Sequence, residues 1–356
     1  MNLGILADDL TGALDAAAAF ASPGCPVEGR WDARPTTRRF AIDTGTRQAL
    51  PQHASDAVRS GLGLLGGLDI AFKKVDSLLR GNTFAELAAC AQSPNFVSRI
   101  VAPAFPAQGR SIVGGELIVD SARTGQNLAS GLRVAGISAT VTAPDADWPV
   151  AGLVLCDAQS SEDLAKVVRQ GSAMTPPILW CGSAGLAMAL AGRQEPLQDP
   201  PRPEMIIVGS QTDRSRADLA RLADRPDVAA IRITDAKNPV PRNAPLSRRL
   251  VALSFDLPHL DPQEASSIYR RVLRWLVSAV PAPAAALVIG GDTASILVEA
   301  AGARNLEVVG AWAEGLPLSR VRGGLWDGGW LYTKSGSFDD RGLIGFSLRG
   351  GVARAH

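Results

Sequence analysis

Short apolar runs alternate along this chain with stretches whose apolar positions recur at helical spacing. The runs 3–7, 39–43, 69–75, 99–103, 153–157 and 178–181 predict strands. Helical patterns lie between them, among them 14–21, about 52–65 and one opening at Thr83. Thr83 and Glu86 have the spacing of a capping box, in which each side chain satisfies a free N–H at the helix start. Residues 120–123 are expected to run quickly into a further helix. Strands that are apolar throughout belong to a parallel sheet covered on both faces, so the first half predicts an α/β fold. Residues 192–204, GRQEPLQDPPRPE, break the pattern with Pro196, Pro200, Pro201 and Pro203, as an interdomain linker would. A second strand series follows at 205–208, 229–233, 250–255, 285–289, 307–311 and 330–334, without an internal repeat. The pattern thus predicts two α/β domains with mainly parallel sheets, 1–195 and 204–356, and an active site in the interdomain cleft.

Composition narrows the partners. Lys+Arg 36 against Asp+Glu 35 gives a net charge of +1, without the basic excess of a nucleic-acid or anionic-membrane binder. The start MNLGILADDLTG carries two carboxylates by residue 9 and no basic region, as a first strand would rather than a signal peptide. No uncharged apolar run approaches the ~18 residues of a membrane span. A cytoplasmic protein with no nucleic-acid or membrane partner is expected, with a homo-oligomer left open. Cys25, Cys90, Cys156 and Cys181 form no CxxC pair, so reduced and mostly buried thiols are expected rather than disulfides or a zinc site.

Several catalytic patterns are missing. His53, His259 and His356 form no HExxH or HxxxH pair, and no GxSxG elbow or GxxxxGK[ST] loop occurs. Residues 61–66, GLGLLG, match GxGxxG by letter, but they close a helix and precede a strand, the reverse of a dinucleotide fingerprint. A dehydrogenase is therefore disfavoured.

The chemistry gathers after strand ends. Ala7-Asp8-Asp9-Leu10-Thr11-Gly12 follows the first strand. Its paired carboxylates can bind hydroxyls, hold Mg²⁺ or accept a proton, or Asp9 and Thr11 can simply cap the next helix. Lys73-Lys74-Val75-Asp76-Ser77-Leu78-Leu79-Arg80-Gly81-Asn82 mixes cations, a carboxylate and a hydroxyl, which suits a polyhydroxylated acid. Thr44-Gly45-Thr46-Arg47 and the stretch 103–110, PAFPAQGR, are polar strand ends of the same kind. In the second half Gly209-Ser210, Gly290-Gly291-Asp292-Thr293 and Gly336-Ser337 follow strands. Glycine lets backbone N–H groups approach phosphate oxygens, so three such turns suggest a nucleoside triphosphate site.

With ADDLTGA (7–13), KKVDSLLRGN (73–82), VAPAFPAQGR (101–110), CGSAGLA (181–187), VGSQTDRSRADL (208–219), GGDTA (290–294) and KSGSF (334–338) in order, the chain resembles the four-carbon acid sugar kinases, as a shortened and divergent member. These are the ATP-dependent 3-oxo-tetronate, threonate and erythronate kinases. The resemblance implies an N-terminal sugar-acid domain, a C-terminal ATP domain, and phosphoryl transfer from Mg²⁺-ATP to a hydroxyl of the acid. It further implies substrate contacts from Asp8, Arg47, Lys74, Asp76, Ser77 and Arg80. Asp9 or Asp76 would orient or deprotonate the attacking hydroxyl, and Arg47 and Arg80 would hold the substrate carboxylate. ATP would be bound by Ser210, Gly290, Gly291, Asp292, Thr293, Gly336 and Ser337. Residues 182–186, GSAGL, would serve packing near the interdomain seam. Leu78 stands where the family has a threonine, 45–47 replaces Asp-Ser-Arg, and a longer segment with a His-Asp-Pro element is missing after Val119. A regulatory protein of this fold that binds nucleotide and sugar acid with impaired catalysis is the alternative.

Overall fold

The computed structural model describes residues 1–32, 34–192, 197, 199–209, 222–241, 250–257 and 260–336. Two compact units are present, Met1–Pro196 with Val308–Glu314, and Leu197–Glu307 with Gly315–His356.

In the first unit the strands are β1 (Leu3–Ala7), β2 (Val27–Arg30), β3 (Arg39–Asp43), β4 (Ile70–Lys74), β5 (Ser98–Ala102), β6 (Arg110–Val113), β7 (Glu116–Val119), β8 (Ala122–Asn127), β9 (Val141–Thr142), β10 (Gly152–Cys156) and β11 (Ile178–Gly182). Eight of them form a parallel array in the order β2-β3-β1-β4-β11-β5-β10-β9. The helices are α1 (Leu10–Ala18), α2 (Pro51–Leu62), α3 (Thr83–Gln92), α4 (Leu128–Val134), α5 (Ser161–Ser172) and α6 (Ala184–Ala191). They pack as two groups, α1 with α6 and α5, and α2 with α3 and α4. That double cover explains why β1 is apolar and buried along its whole length. The array has β3 on one side of β1 and β4 on the other, so strand order reverses at β1. In open parallel sheets ligands bind beyond the carboxyl ends at such a point. Ala7 pairs with Asp43 and Leu6 with Lys73, which brings the ends of β1, β3 and β4 level.

Local differences from the sequence expectation have physical causes. The helix expected at 14–21 begins at Leu10, because Asp9 caps it by accepting the Gly12 N–H at 2.9 Å. Thr83 and Glu86 form no capping box. Asn82 is the N-cap without a side-chain bond, Thr83 Oγ1 donates to the Arg80 carbonyl, and Glu86 turns into the interior. Residues 120–123 lead into β8 rather than directly into a helix, and β6-β7-β8 form a separate antiparallel sheet. The GLGLLG stretch closes α2 and passes through a 3₁₀ turn, Gly63–Leu65, into β4, as its position suggested.

The chain continues through β12 (Met205–Val208), β13 (Val228–Ile233), β14 (Leu250–Phe255), β15 (Ala285–Ile289), β16 (Asn305–Ala313), β17 (Leu316–Arg322) and β18 (Trp330–Lys334). The second unit has the order β13-β14-β12-β15-β18-β17, parallel except for β17 against β18. Strand order reverses here at β12. Helices α7 (Pro262–Ala279) and α8 (Gly291–Ala300) pack on each other. No helix among the described residues is long and apolar enough to cross a membrane.

Candidate functional site

Three strand ends supply one charged cluster in the first unit. After β1, Asp9 spends both oxygens locally, Oδ1 on the Gly12 N–H and Oδ2 on the Thr11 hydroxyl at 2.9 Å. Asp8, 3% exposed, takes the main contact with Arg47. The guanidinium donates Nε and Nη2 to the two Asp8 oxygens at 2.7 and 2.8 Å, a bidentate pair. Arg47 arrives on the loop after β3, which is stitched to β1 by Thr44 N–H and hydroxyl bonds to the Ala7 carbonyl and by an Arg47 N–H bond to the Asp8 carbonyl. The same guanidinium lies 3.1 Å from Asp9 Oδ1 and 3.1 Å from Asp76 Oδ2.

Asp76, just beyond β4, is clasped from its other side. Arg80 donates Nε and Nη2 to it at 3.0 and 2.7 Å, and the N–H groups of Leu78 and Arg80 add two more bonds. The chain folds back through Leu79 and Gly81, both left-handed, with φ 54° and 69°. A Cβ at Gly81 would stand 2.9 Å from the Arg47 carbonyl, so this turn takes glycine on two counts. Arg110, at the start of β6 and 4% exposed, donates Nη1 to Ser77 Oγ. Lys74 Nζ donates to the Val75 carbonyl at 3.1 Å.

A second buried pair supports the cluster from below. Lys73 Nζ lies 2.8 Å from Glu86 Oε2, both side chains almost fully enclosed. Thr46 Oγ1 donates to Glu86 Oε1 at 2.7 Å, the Thr44 and Thr46 hydroxyls are 2.8 Å apart, and Asn82 Nδ2 donates to the Thr46 and Ala49 carbonyls. The loop that presents Arg47 is thereby fastened to α3.

The electrostatics separate the carboxyls into two kinds. Burial alone would raise Asp8, but the Arg47 bonds and the Lys73 and Lys74 ammoniums outweigh it and hold Asp8 below the ordinary carboxylate value. Burial also opposes ionisation of Asp76, and Arg80 and Arg47 overcome it by a wide margin. Burial lifts Asp43 to about 7, with Asp9 and Asp8 adding and the Gly45 N–H and Arg47 opposing. A carboxyl raised on folding stabilises the native state while protonated, so that contribution is full below an unfolded value of about 4 and is lost as pH rises through the folded one. Asp43→Asn keeps an oxygen for Gly45 and removes the buried charge. It should match the parent stability near about pH 4 and exceed it by about 2–4 kcal/mol near about pH 8. Urea unfolding at both pH values measures this, and an equal difference at both would show that Asp43 titrates normally.

The second unit has its own turn cluster. Gly209 follows β12 and donates its N–H to the Ile289 carbonyl. A Cβ at Gly209 would lie 1.7 Å from Thr293 Oγ1, so glycine lets the turn meet α8, and Thr293 is packed there at 2% exposure. Gly290, with φ 119°, donates to the Lys334 carbonyl and begins α8 without a side-chain cap, followed by Gly291 and Asp292. Tyr269 stacks on Phe255 and donates its hydroxyl to the Gly209 carbonyl. Gly336 forms a turn after β18, while Ser210 and Ser337 lie outside the described residues. No group of three or more His, Cys, Asp or Glu among the described residues is arranged to hold a metal ion.

Of the residues singled out from sequence, Asp8, Asp9, Lys74, Asp76, Ser77, Arg80 and Arg47 gather in the first unit and Gly290 to Thr293 in the second. Both substrate-side arginines are engaged by protein carboxylates, and Arg80 keeps 44% of its side chain exposed. The sequence assigns no individual role to Lys73, Asp43, Arg110 or Asp15, and to Glu86 only a helix-capping one. Arg110 ended a polar stretch already noted, and Asp15 is a lone carboxylate in the run Ala13 to Ala19, the signals that could have found them. Within residues 182–186, Ser183 caps α6 and donates to the Ala104 carbonyl, and Gly185 sits against that same carbonyl.

Comparison with known proteins adds a second line. Residues 3–149 match the family model of a sugar-binding N-terminal domain. A D-threonate kinase of Cupriavidus necator is 35% identical over 62% of this chain and 63% of its own length, so the matched part spans less than two thirds of that relative. A D-threonate kinase of Bordetella bronchiseptica is 29% identical over 96% of this chain and 95% of its own. A solved Salmonella typhimurium structure, provisionally described as a tRNA synthase, superposes with a TM-score of 0.72 at 18% identity, covering 98% of each chain. A Haemophilus influenzae structure gives 0.66 at 16%, covering 97% of this chain and 99% of its own. These two speak for the fold alone.

Proposed function

We propose that the chain phosphorylates a hydroxyl of a small sugar acid at the expense of ATP, because residues 3–149 match the model of a sugar-binding N-terminal domain and the chain is similar to D-threonate and D-erythronate kinases. The acid is a four-carbon one such as threonate, erythronate or 3-oxo-tetronate. The observation that carries this reading is the interlocked Asp8–Arg47–Asp76–Arg80 cluster beyond the carboxyl ends of β1 and β4, inside the matched segment. Its donors and acceptors are fixed by one another. A polyhydroxylated anion meets preset partners there, with Arg80, Lys74 and Ser77 at the rim of the carboxylates.

The second unit takes ATP in this reading. The start of α8 at Gly291 to Thr293, with the turn at Gly336, offers backbone donors and a positive helix end to phosphate oxygens. Transfer of a phosphoryl group asks the protein chiefly for positioning and charge stabilisation, which rigid pairs supply. The described residues offer no protein cage for Mg²⁺, and such an ion takes most of its ligands from triphosphate oxygens and water.

The test is an ATP-consumption screen across four- to six-carbon sugar acids with the folded protein. Turnover on a four-carbon acid is expected. Absence of turnover with every acid, while ATP still raises the melting temperature, would replace this reading by the non-catalytic one.

A further inference from the structure

Asp15 has no part in the reading above. It lies on α1, 8% exposed, among Ala13, Leu14, Ala16 and Ala17. Nothing among the described residues hydrogen-bonds its Oδ2. Buried polar atoms nearly always have a partner, so an orphan carboxylate oxygen asks what completes it. Its surroundings answer by chemistry. Gly12 is one helical turn back on the same face, and a Cβ there would lie 3.5 Å from Lys74 Nζ. The charged groups that act on Asp15 are Lys74 from β4, Asp9 at the start of α1, Arg110 from β6 and Glu314 of the segment Val308–Glu314. Three of these belong to, or lie against, the cluster that the sugar acid is assigned to. Asp15 thus carries a buried oxygen without a partner, within the electrostatic reach of groups of that site.

The carboxyls of the cluster are poorly suited to take a proton, and Asp43, also lifted by burial, already accepts the Gly45 N–H at 2.7 Å. Asp8 and Asp76 are each clasped by a bidentate arginine and held below the ordinary range, and Asp9 divides its oxygens between Gly12 and Thr11 and also pairs with Arg47 at 3.1 Å. Burial instead lifts Asp15 to about 6, with Asp9 and Glu314 adding and Lys74 and Arg110 opposing. A proton acceptor works best when its pKa lies near the working pH.

Resting on the sugar-acid kinase reading, we propose that Asp15 is its catalytic base, with Oδ2 accepting the hydrogen bond and then the proton of the attacking hydroxyl. In that step the hydroxyl oxygen bonds to the γ-phosphorus of ATP. The bond from that phosphorus to the bridging oxygen breaks, its electron pair leaves with ADP, and the hydroxyl proton passes to Asp15.

The test compares the full-length parent with D15N, D15E and D43N at saturating ATP and varied acid, across pH. D15N should lower kcat by about 10²–10⁴-fold while KM for the acid moves little. Its melting temperature should hold or rise, because an unpartnered buried charge is gone. In the parent, kcat should fall tenfold per pH unit below about 6. D15N should lack that limb, D43N should keep it, and D15E, with its carboxyl displaced, should keep the limb at reduced kcat. D15N with parental kcat, a limb that survives in D15N, or a limb lost in D43N overturns the assignment. Should D15N not fold, a D15E variant without the limb overturns it equally. A parent that phosphorylates no acid removes the functional reading and the base with it, whereas an active parent beside an equally active D15N removes the base alone.

Discussion

Arg47→Met should abolish measurable phosphorylation of the acid and lower the melting temperature of the first unit by roughly 10 °C. Arg47 neutralises Asp8 through two parallel bonds and closes on Asp9 and Asp76 with the rest of its fork, while keeping only 21% of its side chain exposed. Methionine preserves much of the apolar stem and removes every donor. The buried Asp8 carboxylate then keeps only the more distant Lys73 and Lys74 charges. Removing one partner of a buried ion pair typically costs about 3–5 kcal/mol, because the other charge remains enclosed. Arg47→Lys should restore part of the stability and little of the activity. An ammonium is a single point charge and cannot span Asp8 and Asp76 together. The destabilisation also has a pH signature. Asp8 is depressed in the parent, so its favourable contribution exists above the ordinary carboxylate value and disappears as pH falls through the folded one. The gap between parent and Arg47→Met should therefore narrow in acid. Thermal unfolding against pH, with turnover at saturating ATP, measures both halves, and a parental melting temperature in Arg47→Met would mean that Asp8 needs no guanidinium.

How far this site was legible in the sequence depends on what kind of signal each residue leaves. Asp8, Arg47, Asp76 and Arg80 stand at the ends of apolar runs, and a strand end in a parallel sheet is a place ligands use. Their residue types therefore sufficed to nominate them. Which carboxylate pairs with which guanidinium was not legible, because pairing is set by strand order, and the reversal at β1 is invisible to local pattern. The two neighbouring aspartates show the limit. Asp9 caps α1 and Asp8 meets Arg47, yet either role fits either residue by composition alone. Thr83 and Glu86 failed for the opposite reason: their spacing is right for a cap, but Lys73, brought in by β4, claims Glu86. The small sheet β6-β7-β8 escaped notice because its strands are short and one of them is polar and mostly exposed, which leaves no periodic apolar face. Turn glycines were legible as turns, but only the packing of Thr293 against Gly209 says why one of them must be glycine.

The Lys73–Glu86 pair should give the largest stability change of any single substitution in the first unit, and a diagnostic reversal in combination. Glu86→Leu would leave the Lys73 ammonium, 1% exposed, without its carboxylate and the Thr46 hydroxyl without its acceptor. In the intact protein burial works against that ammonium, and Glu86 with Asp8 outweighs it and lifts Lys73 above the ordinary lysine value. Losing Glu86 should cost about 3–5 kcal/mol for the stranded charge, with about 1 kcal/mol more for the hydroxyl. Combining Glu86→Leu with Lys73→Met removes both charges for apolar groups of similar size, and such replacements of buried pairs are often neutral. The double variant should recover most of the loss in urea unfolding. Activity should not follow. Thr46 still lacks its acceptor, the Thr44–Thr46 contact is no longer tied to α3, and Arg47 is presented by that loop. A shift of about 1 Å in a positioned group can cost about 10²-fold in rate, so the double variant is expected to be folded and slow. A double variant as unstable as Glu86→Leu would locate the importance of the network in its shape rather than its charge. One that regains full activity would mean that Arg47 is positioned by Asp8 and the Ala7 carbonyl alone.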